Sequence, residues 1–375
     1  MACTESEITM NKIYLAGYFR QNFGDDLFVK VIANQHPSSL ITVLVEPQYS
    51  KVYNEIKNIK VIKYTIFKRI LNKVLSLIGN ENFLEKKIIA QSDIIVEIGG
   101  SIFQQNGDET ITFRRESYLK SGKPIFIIGS NFGPYVSENY YKAYRRYFCL
   151  TKGVVFRDRT SLALFNQLSN VSVAPDVVLG LTVNDSSLKV YKHKKKIAVV
   201  SVINVVDKMN EDRSDIIQKK YDKKISELIL GLVMHNYEVI LFGFSRAEHD
   251  VFAAERIKNS LPIETKEFVS IKSHEYIDDS LKLMNDADIL FSSRFHSMIL
   301  GWKLQIPQYV FVYSKKTKNV IDDLFPAQAS VDITKIDDIG AETLIKGVNT
   351  IDKKLLNTAE ENARKQFKFL ESFLN

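Results

Sequence analysis

The stretch DILFSSRFHSMILG (residues 288–301) joins a short apolar segment to a helical pattern through an arginine and a histidine. Its first part (288–293) has the length of a buried strand, and the part that follows (296–304) has apolar residues at helical spacing. A strand that leads directly into a helix is one unit of a parallel α/β sheet. The stretch therefore predicts that Arg294 and His296 lie at the carboxyl end of a strand.

The same pattern extends in both directions along the chain. Short apolar segments without polar alternation are separated by helical or polar segments, which is typical of a parallel sheet covered on both faces. Helices are predicted at 24–35, 221–236 and 359–374. Strands are predicted at 12–17, 40–45, 59–64, 93–99, 124–129, 153–158, 171–175, 196–202, 237–243, 267–271, 288–293 and 308–313.

The strands fall into two groups on either side of a polar, basic segment, NDSSLKVYKHKKK (184–196), which we interpret as a linker. A chain of 375 residues is also long for one compact core. The fold class predicted is α/β, with two Rossmann-like domains facing a central cleft, because such sheets bind ligands beyond the carboxyl ends of their strands. The predicted parts are an N-terminal domain at 10–183, a C-terminal domain at 196–340 and a C-terminal helical segment at 341–375.

Composition restricts the class of protein. Hydrophobic residues make up 45% of the chain and charged residues 25%, as in a globular protein. The net charge of +7 favours an anionic substrate, nucleic acid or an anionic membrane surface. Aromatic residues do not interleave with the basic runs, which argues against a surface that stacks on bases. The two cysteines, Cys3 and Cys149, predict neither a disulfide framework nor a zinc site.

Targeting signals are also not expected. The first residues, MACTESEITM, lack the basic and apolar regions of a signal peptide. No apolar run approaches the roughly 18 residues that a membrane-spanning helix needs. We therefore expect a cytoplasmic protein, with room for peripheral contact at the inner face of the membrane.

Arg294 and His296 predict an anion site with an acid–base group beside it. A helix N-terminus favours an anion, arginine pairs with carboxylate or phosphate through two hydrogen bonds, and histidine exchanges protons near neutral pH. Lys316, after the next strand, could add a further positive charge or lie in a solvated loop. The alternative for the pair is a histidine bonded to backbone and an arginine in a surface ion pair.

Other polar residues follow other strands. In FRDRTS (156–161), Arg157 could reach the cleft, while Asp158 or Ser161 could cap the next helix. The loop GYFRQNFGDD (17–26) is not a GxGxxG sequence, so nicotinamide or flavin binding is not expected. It places three candidate residues at the cleft edge, of which the last could position a sugar hydroxyl, act as a base or cap the helix. These candidates are Asn22, Gly24 and Asp25.

Three further segments come after predicted strands. EIGGSIFQQNG (97–107) and IGSNFGPY (128–135) are glycine-rich turns that allow close backbone approach. In APDVVLGL (174–181), Asp176 lies near the domain boundary and is most simply a turn aspartate.

The order of these segments resembles that of the polysaccharide pyruvyl transferase family from Gly17 to Lys316. The RxH sequence at 294–296, followed by a Y-x-x-K-like segment, is the sharpest part of the resemblance. The resemblance implies a GT-B-like fold and transfer of a pyruvyl group from phosphoenolpyruvate to a sugar of a cell-surface polysaccharide precursor, usually as a cyclic ketal, with release of phosphate. It implies phosphoenolpyruvate as a co-substrate and no metal or other cofactor.

The resemblance also assigns roles to the candidate residues. The N-terminal domain would hold the acceptor and the C-terminal domain the donor. The acceptor would be a sugar or a lipid-diphosphate-linked oligosaccharide, and nucleic acid is not an expected partner. The alternatives are a GT-B-type glycosyltransferase that uses a nucleotide sugar and a non-catalytic binding protein. The implied roles are phosphoenolpyruvate binding for Arg294, Arg157 and Lys316, general acid for His296, acceptor binding for Asn22, Gly24 and Asp25, and base for Asp25.

Overall fold

A computed structural model describes residues 10–77, 81–183, 195–208 and 214–374. Most of the predicted linker, the N-terminal tail with Cys3, and the last residue lie outside these ranges. The chain forms two compact units. Unit 1 comprises Met1–Tyr18, Val29–Ala174 and Lys365–Asn375, and unit 2 comprises Phe19–Phe28 and Pro175–Arg364.

The sheet of unit 1 has seven strands in the order β3-β2-β1-β4-β5-β6-β7, and every adjacent pair is parallel. The order reverses between β1 and β4, as in a doubly wound sheet. The central strands are buried along their whole length because helices cover both faces. The strands are β1 Lys12–Ala16, β2 Leu40–Val45, β3 Ile59–Lys63, β4 Ile94–Ile98, β5 Ile125–Ser130, β6 Gly153–Phe156 and β7 Val171–Val173.

Polar residues begin several helices of unit 1. Thr112, Ser137 and Asp158 each accept a hydrogen bond from a backbone N–H of the first turn that they precede. The helices that begin or lie in this part of the chain are α1 Phe23–Gln35, α2 Ile66–Leu77, α3 Phe83–Ala90, α4 Phe113–Lys120, α5 Glu138–Leu150, α6 Arg159–Phe165 and, at the C-terminus, α15 Lys368–Leu374. Short 3₁₀ segments lie at Pro47–Tyr53 and Arg364–Phe367.

The sheet of unit 2 has six parallel strands in the order β10-β9-β8-β11-β12-β13, and it reverses between β8 and β11. The strands are β8 Lys196–Ser201, β9 Tyr237–Gly243, β10 Val269–Ser273, β11 Ile289–Ser292, β12 Gln308–Val312 and β13 Ser330–Asp332. The helices are α7 Ser214–Met234, α8 Asp250–Ser260, α9 Ile263–Lys266, α10 Ile277–Asn285, α11 Phe295–Lys303, α12 Lys315–Leu324, α13 Ala341–Lys346 and α14 Lys353–Ala363. Short 3₁₀ segments lie at Val177–Gly180 and Ile333–Asp338.

The predicted fold class of two Rossmann-like α/β domains is confirmed by these two parallel sheets. The helix predicted at 221–236 is confirmed as part of α7, and its residues Ile225, Leu228 and Leu232 are buried in the core of unit 2. Strand β13 was not predicted, because Val331 is the only apolar residue among its three. Among the described residues, no helix is long and apolar enough to cross a lipid bilayer.

The segment predicted as a final helix, 359–374, is helical, but a 3₁₀ segment at Arg364–Phe367 divides it between α14 and α15. Gln366 explains the interruption. Its side chain is buried and accepts a hydrogen bond from the Gly129 N–H at 2.9 Å. It also donates to the Ala174 carbonyl oxygen at 2.7 Å. This anchoring to backbone groups of unit 1 fixes the end of the chain there.

The two compact units also differ from the predicted boundaries. The loop segment Phe19–Phe28 groups with unit 2, although it follows β1 along the chain. The Phe23 N–H donates to the Phe244 carbonyl oxygen at 2.9 Å, and Asn22 forms an antiparallel bridge with Ser245. These partners are more than 200 residues away, so neighbouring sequence contains no signal for them.

Candidate functional site

His296 packs against the backbone of Gly24 within unit 2. A Cβ atom placed on Gly24 would lie 1.7 Å from His296 Nδ1, so a side chain at this position would displace the imidazole. His296 is in the first turn of α11, directly after the carboxyl end of β11, and its side chain is 12% exposed. The structure thus brings together a predicted catalytic residue and a residue predicted to bind the acceptor.

A carboxylate faces the other side of the His296 ring. His296 Nε2 lies 3.7 Å from Oδ2 of Asp176, which is 1% exposed. Oδ1 of Asp176 accepts a hydrogen bond from the Val178 N–H at 2.9 Å and so caps the 3₁₀ segment that follows. Asp176 is therefore a turn aspartate, as predicted, and it is also placed to stabilise a positive charge on the imidazole.

Arg294 is the N-cap residue of α11 and is 7% exposed. Its Nε donates to Asp250 Oδ2 at 2.9 Å, its Nη2 donates to Asp250 Oδ1, and its Nη1 donates to Glu248. Burial would lower the pKa of the Arg294 guanidinium, but these two carboxylates outweigh burial and raise that pKa. The alternative prediction placed Arg294 in a surface ion pair. Arg294 is indeed in an ion pair, but the pair is buried and not at the surface.

Glu248 accepts hydrogen bonds from two cations, Arg294 and Lys208. Burial alone would raise the pKa of the Glu248 carboxyl, but the charges of Arg294 and Lys208 lower it to about 2. The side chain of Glu248 is 25% exposed, whereas that of Asp250 is fully buried. Glu248 is therefore the most exposed member of this cluster, ahead of Lys208 at 16%.

The remaining predicted residues of unit 2 lie near these elements. Asn22 Oδ1 accepts a hydrogen bond from the Gly24 N–H at 3.2 Å. Asp25 is in the first turn of α1, which begins at Phe23, so its open role as the helix cap is not observed. The Lys316 ammonium lies 6.0 Å from the centre of the Phe295 ring, close to the start of α11.

A buried hydrogen-bond network, which the sequence did not predict, holds the segment Phe19–Phe28 in place. His274 Nε2 lies 3.0 Å from Asp26 Oδ2, and His274 Nδ1 lies 2.8 Å from Ser280 Oγ. The His274 ring also stacks on Phe23 with the ring centres 4.7 Å apart, and its carbonyl oxygen accepts from Gln21 Nε2 at 2.6 Å. The side chains of both Asp26 and His274 are inaccessible to solvent, so the network positions the segment and does not meet a ligand directly.

Arg157 belongs to unit 1, where it follows the carboxyl end of β6. Its Nη2 donates to Asn131 Oδ1 at 2.8 Å, and its guanidinium lies over Gly100, where a Cβ would be 2.6 Å from both terminal nitrogens. Ser101 Oγ donates to the same Asn131 oxygen at 3.1 Å. The two glycine-rich turns singled out from sequence therefore meet at this arginine.

Asp158, and not Ser161, is the N-cap of α6, a role that the sequence left open between the two. Asp158 Oδ1 accepts from the Ser161 N–H at 2.7 Å, and Ser161 Oγ donates to Asp158 Oδ2 at 3.0 Å. Ser161 Oγ in turn accepts from the Phe132 N–H at 2.8 Å. These bonds tie the start of α6 to the turn after β5.

Sequence reasoning missed Asp250, Glu248 and Lys208 around Arg294. In the sequence they belong to a polar turn, SRAEHD (245–250), and to a segment that lacks a strand or helix pattern. These three residues could have been found only by assuming that the arginine of the RxH sequence pairs with a buried carboxylate. Within the described ranges, no group of three or more histidine, cysteine or acidic side chains is arranged to hold a metal ion.

Comparison with known proteins gives one family and one curated relative. The model of the family described as polysaccharide pyruvyl transferase matches residues 22–315. The amylovoran biosynthesis protein AmsJ of Erwinia amylovora is 20% identical over 282 residues, which cover 72% of this chain and 68% of AmsJ.

Solved structures share the fold at low identity. The complex of S. aureus MnaA with UDP superposes with a TM-score of 0.60 at 13% identity, covering 98% of this chain and 97% of MnaA. UGT73P12 of Glycyrrhiza uralensis, complexed with glycyrrhetinic acid 3-O-monoglucuronide, has a TM-score of 0.58 at 10% identity, covering 98% and 96% of the two chains. At such identities the likeness shows the fold alone, which is that of GT-B proteins with two Rossmann-like domains.

Proposed function

The chain belongs to the polysaccharide pyruvyl transferase family, whose model matches residues 22–315, and from this we propose that it uses phosphoenolpyruvate to pyruvylate a sugar. The product would be a cyclic ketal on a cell-surface polysaccharide precursor, with phosphate as the second product. The observation that carries the proposal is His296, held between Gly24 and Asp176 at the start of α11.

Phosphoenolpyruvate is a small trianion with a carboxylate and a phosphate, so its site needs several cations or N–H donors. In unit 2, Arg294 lies at the N-terminus of α11, Lys316 lies near Phe295, and Lys208 pairs with the same carboxylate as Arg294. The positive end of the α11 dipole adds to their charge. This combination supports a donor site at the carboxyl end of the unit 2 sheet.

The paired state of Arg294 suggests how the donor would enter. Asp250 is buried and holds the guanidinium through two nitrogens, so it stays in place. Glu248 is more exposed and bridges Arg294 and Lys208 with a single carboxylate. An incoming carboxylate or phosphate would replace Glu248 on both cations, so that neither cation would be left without an anionic partner.

The reaction needs a general acid. His296 would donate a proton to the methylene carbon of phosphoenolpyruvate, and the C=C electrons would form the new C–H bond. This leaves an oxocarbenium-like centre at the adjacent carbon, which a sugar hydroxyl attacks. Asp176 would stabilise the protonated imidazole before the transfer and fix the ring orientation.

The ketal then closes with loss of phosphate. The C–O bond to phosphate breaks, phosphate leaves with the bonding electrons and a proton, and a second hydroxyl adds to the same carbon. The two protons lost by the hydroxyls equal the proton added to carbon and the proton carried away by phosphate. Asp25 is the proposed base for the first hydroxyl, and Asn22 and Gly24 lie beside it in the same loop.

Arg157 is assigned to phosphoenolpyruvate by the resemblance alone, and that role stays a prediction. Its guanidinium is set by Asn131 and Gly100 in unit 1. We also propose that the acceptor is a lipid-diphosphate-linked sugar and that the protein works in the cytoplasm at the inner face of the membrane. AmsJ, a protein of amylovoran biosynthesis, supports a polysaccharide precursor as the acceptor class.

The test is calorimetric titration with phosphoenolpyruvate, followed by incubation with hexosides whose 4- and 6-hydroxyls are unprotected. We expect saturable binding, release of phosphate and a product heavier by one pyruvate minus one water. The His296→Gln variant should bind the donor and release no phosphate. His235→Gln, which changes an exposed histidine of the same unit, is the matched control and should keep full turnover. Binding of a nucleotide sugar but not of phosphoenolpyruvate would favour a glycosyltransferase instead.

A further inference from the structure

The helix α2 (Ile66–Leu77) has its apolar residues on the outside. None of its residues is buried. At 100° per residue, six apolar side chains fall within an arc of about 140° and form one continuous stripe. Their exposed fractions range from 41% to 81%. The six are Ile66, Phe67, Ile70, Leu71, Val74 and Leu77.

The opposite, polar side of α2 faces the body of unit 1. Asn72 Nδ2 donates to the Tyr64 hydroxyl at 3.3 Å, and Asn72 Oδ1 accepts from the Leu84 N–H at 3.3 Å. Arg69 pairs with Glu46 at 2.6 Å. A surface helix of a soluble domain normally has the reverse orientation, with its apolar stripe against the core. The apolar stripe of α2 is therefore not covered by the part of the chain that the structure describes.

The charged residues of the segment that carries the stripe are all basic. Between residues 60 and 77 there are five basic residues and no acidic one. Lys73 lies at one border of the apolar stripe, where its ammonium group could reach past a membrane interface. Lys68 lies beyond the other border, and its ammonium group donates to the Lys63 carbonyl oxygen at 2.9 Å. Lys60 and Lys63 are exposed on β3, the edge strand that precedes the helix. An apolar stripe with basic borders is the pattern of a helix that lies in the interface of an anionic bilayer.

We propose that α2 is a membrane-docking helix, and that its stripe inserts between the headgroups of an anionic lipid leaflet. Its 12 residues are too few to span a bilayer but suffice to lie in the plane of its surface. The positive charge favours this occupant over a second copy of the chain, since two such helices would repel each other. The proposal goes beyond the reaction and does not depend on it.

Vesicle co-sedimentation of the full chain tests the proposal. Vesicles that contain phosphatidylglycerol and phosphatidylcholine should bind the protein, and vesicles of phosphatidylcholine alone should bind it at least about tenfold more weakly. Binding to the anionic vesicles should weaken as salt is raised. The double variant Phe67→Ser, Ile70→Ser should lose binding by at least about tenfold, because it removes apolar area from the inserted stripe.

The matched control is Phe252→Ser combined with Ile263→Ser, which removes the same two residue types from exposed positions of unit 2. It should bind vesicles like the wild type. All variants should keep the wild-type melting temperature, because none of these side chains is buried. The variant Lys68→Gln, Lys73→Gln should lose only the preference for phosphatidylglycerol.

Two results would overturn the proposal. One is equal binding of the α2 variant and the control to anionic vesicles. The other is a wild-type dimer in sedimentation equilibrium that the Phe67→Ser, Ile70→Ser variant does not form. The stripe would then be a contact between two copies of the chain. Both results are independent of whether the enzyme uses phosphoenolpyruvate.

Discussion

His296 and Gly24 are in direct contact, with the imidazole in the space that a Cβ on Gly24 would fill. The contact joins the start of α11 to the start of α1, two segments more than 260 residues apart in sequence. The glycine is needed here for close approach. The position of His296, the proposed general acid, therefore depends on Gly24, a residue that has no side chain to transfer a proton.

The Gly24→Ala variant should lower kcat by about tenfold to a hundredfold, because displacement of the imidazole by about 1 Å disturbs proton transfer. The KM for phosphoenolpyruvate should change less, since no donor-binding cation is moved. Steady-state phosphate release measures both parameters. Gly340→Ala is the control, because a Cβ there meets nothing within 4 Å. Wild-type kcat for Gly24→Ala would show that the contact has no role in turnover.

Asp176→Asn should lower kcat by about tenfold or more and leave donor affinity unchanged. The carboxylate lies 3.7 Å from His296 Nε2, and the amide keeps its size while removing the charge that stabilises the imidazolium. Rapid-quench single turnovers and calorimetric affinities separate the two effects. An equal loss of donor affinity would mean that Asp176 acts on binding instead.

Much of the fold follows from local patterns. Strands β2 and β9 have the predicted bounds, because each is a mainly apolar run that begins directly after a polar residue, Ser39 or Asn236. The position of Arg294 and His296 between the end of β11 and the first turn of α11 also follows, since the strand end and the helix start fix it from both sides. Sequence thus predicts which residues lie at the carboxyl ends of the strands.

The side-chain partners could not be predicted. Asp250, which holds Arg294, and His274, which holds Asp26, are far from them in sequence, and neither pair has a local pattern. The outward stripe of α2 was also missed, because a helical period predicts an apolar face without saying what covers it. Such pairings depend on how the chain folds back, which spacing alone does not encode.

The Glu248→Gln variant should bind phosphoenolpyruvate more tightly, by about threefold to tenfold, because it removes the anion that competes for Arg294 and Lys208. Calorimetric titration gives the affinity. Glu342→Gln, which changes an exposed glutamate of unit 2 that pairs with Lys346, is the control. Weaker donor binding by Glu248→Gln would contradict the replacement step and make Glu248 a supporting residue of the site.

The pH dependence of the free energy of unfolding should depend on the ionisation of Glu248. The pKa of Glu248 is lowered from 4.5 to about 2 in the folded protein, so the folded state favours its ionised form. Its contribution is therefore complete above pH 4.5 and is lost as the pH falls toward 2. The difference in urea midpoint between wild type and Glu248→Gln should be constant above pH 5 and shrink below about pH 4.5. A constant difference down to pH 2 would mean that Glu248 does not ionise in this way.

His274→Ala should lower the free energy of unfolding by about 2 to 3 kcal/mol, because the buried Asp26 carboxylate loses the imidazole as a hydrogen-bond partner. The change should also lower kcat, since Asp26 is in the same helical turn as Gly24 and so helps to place His296. His274→Gln keeps a donor in the side chain and should recover part of both losses. Urea unfolding and phosphate release measure the two effects on the same preparations. Loss of stability with unchanged kcat would restrict the Asp26–His274 pair to a structural role, and wild-type stability would show that the pair contributes little to the fold.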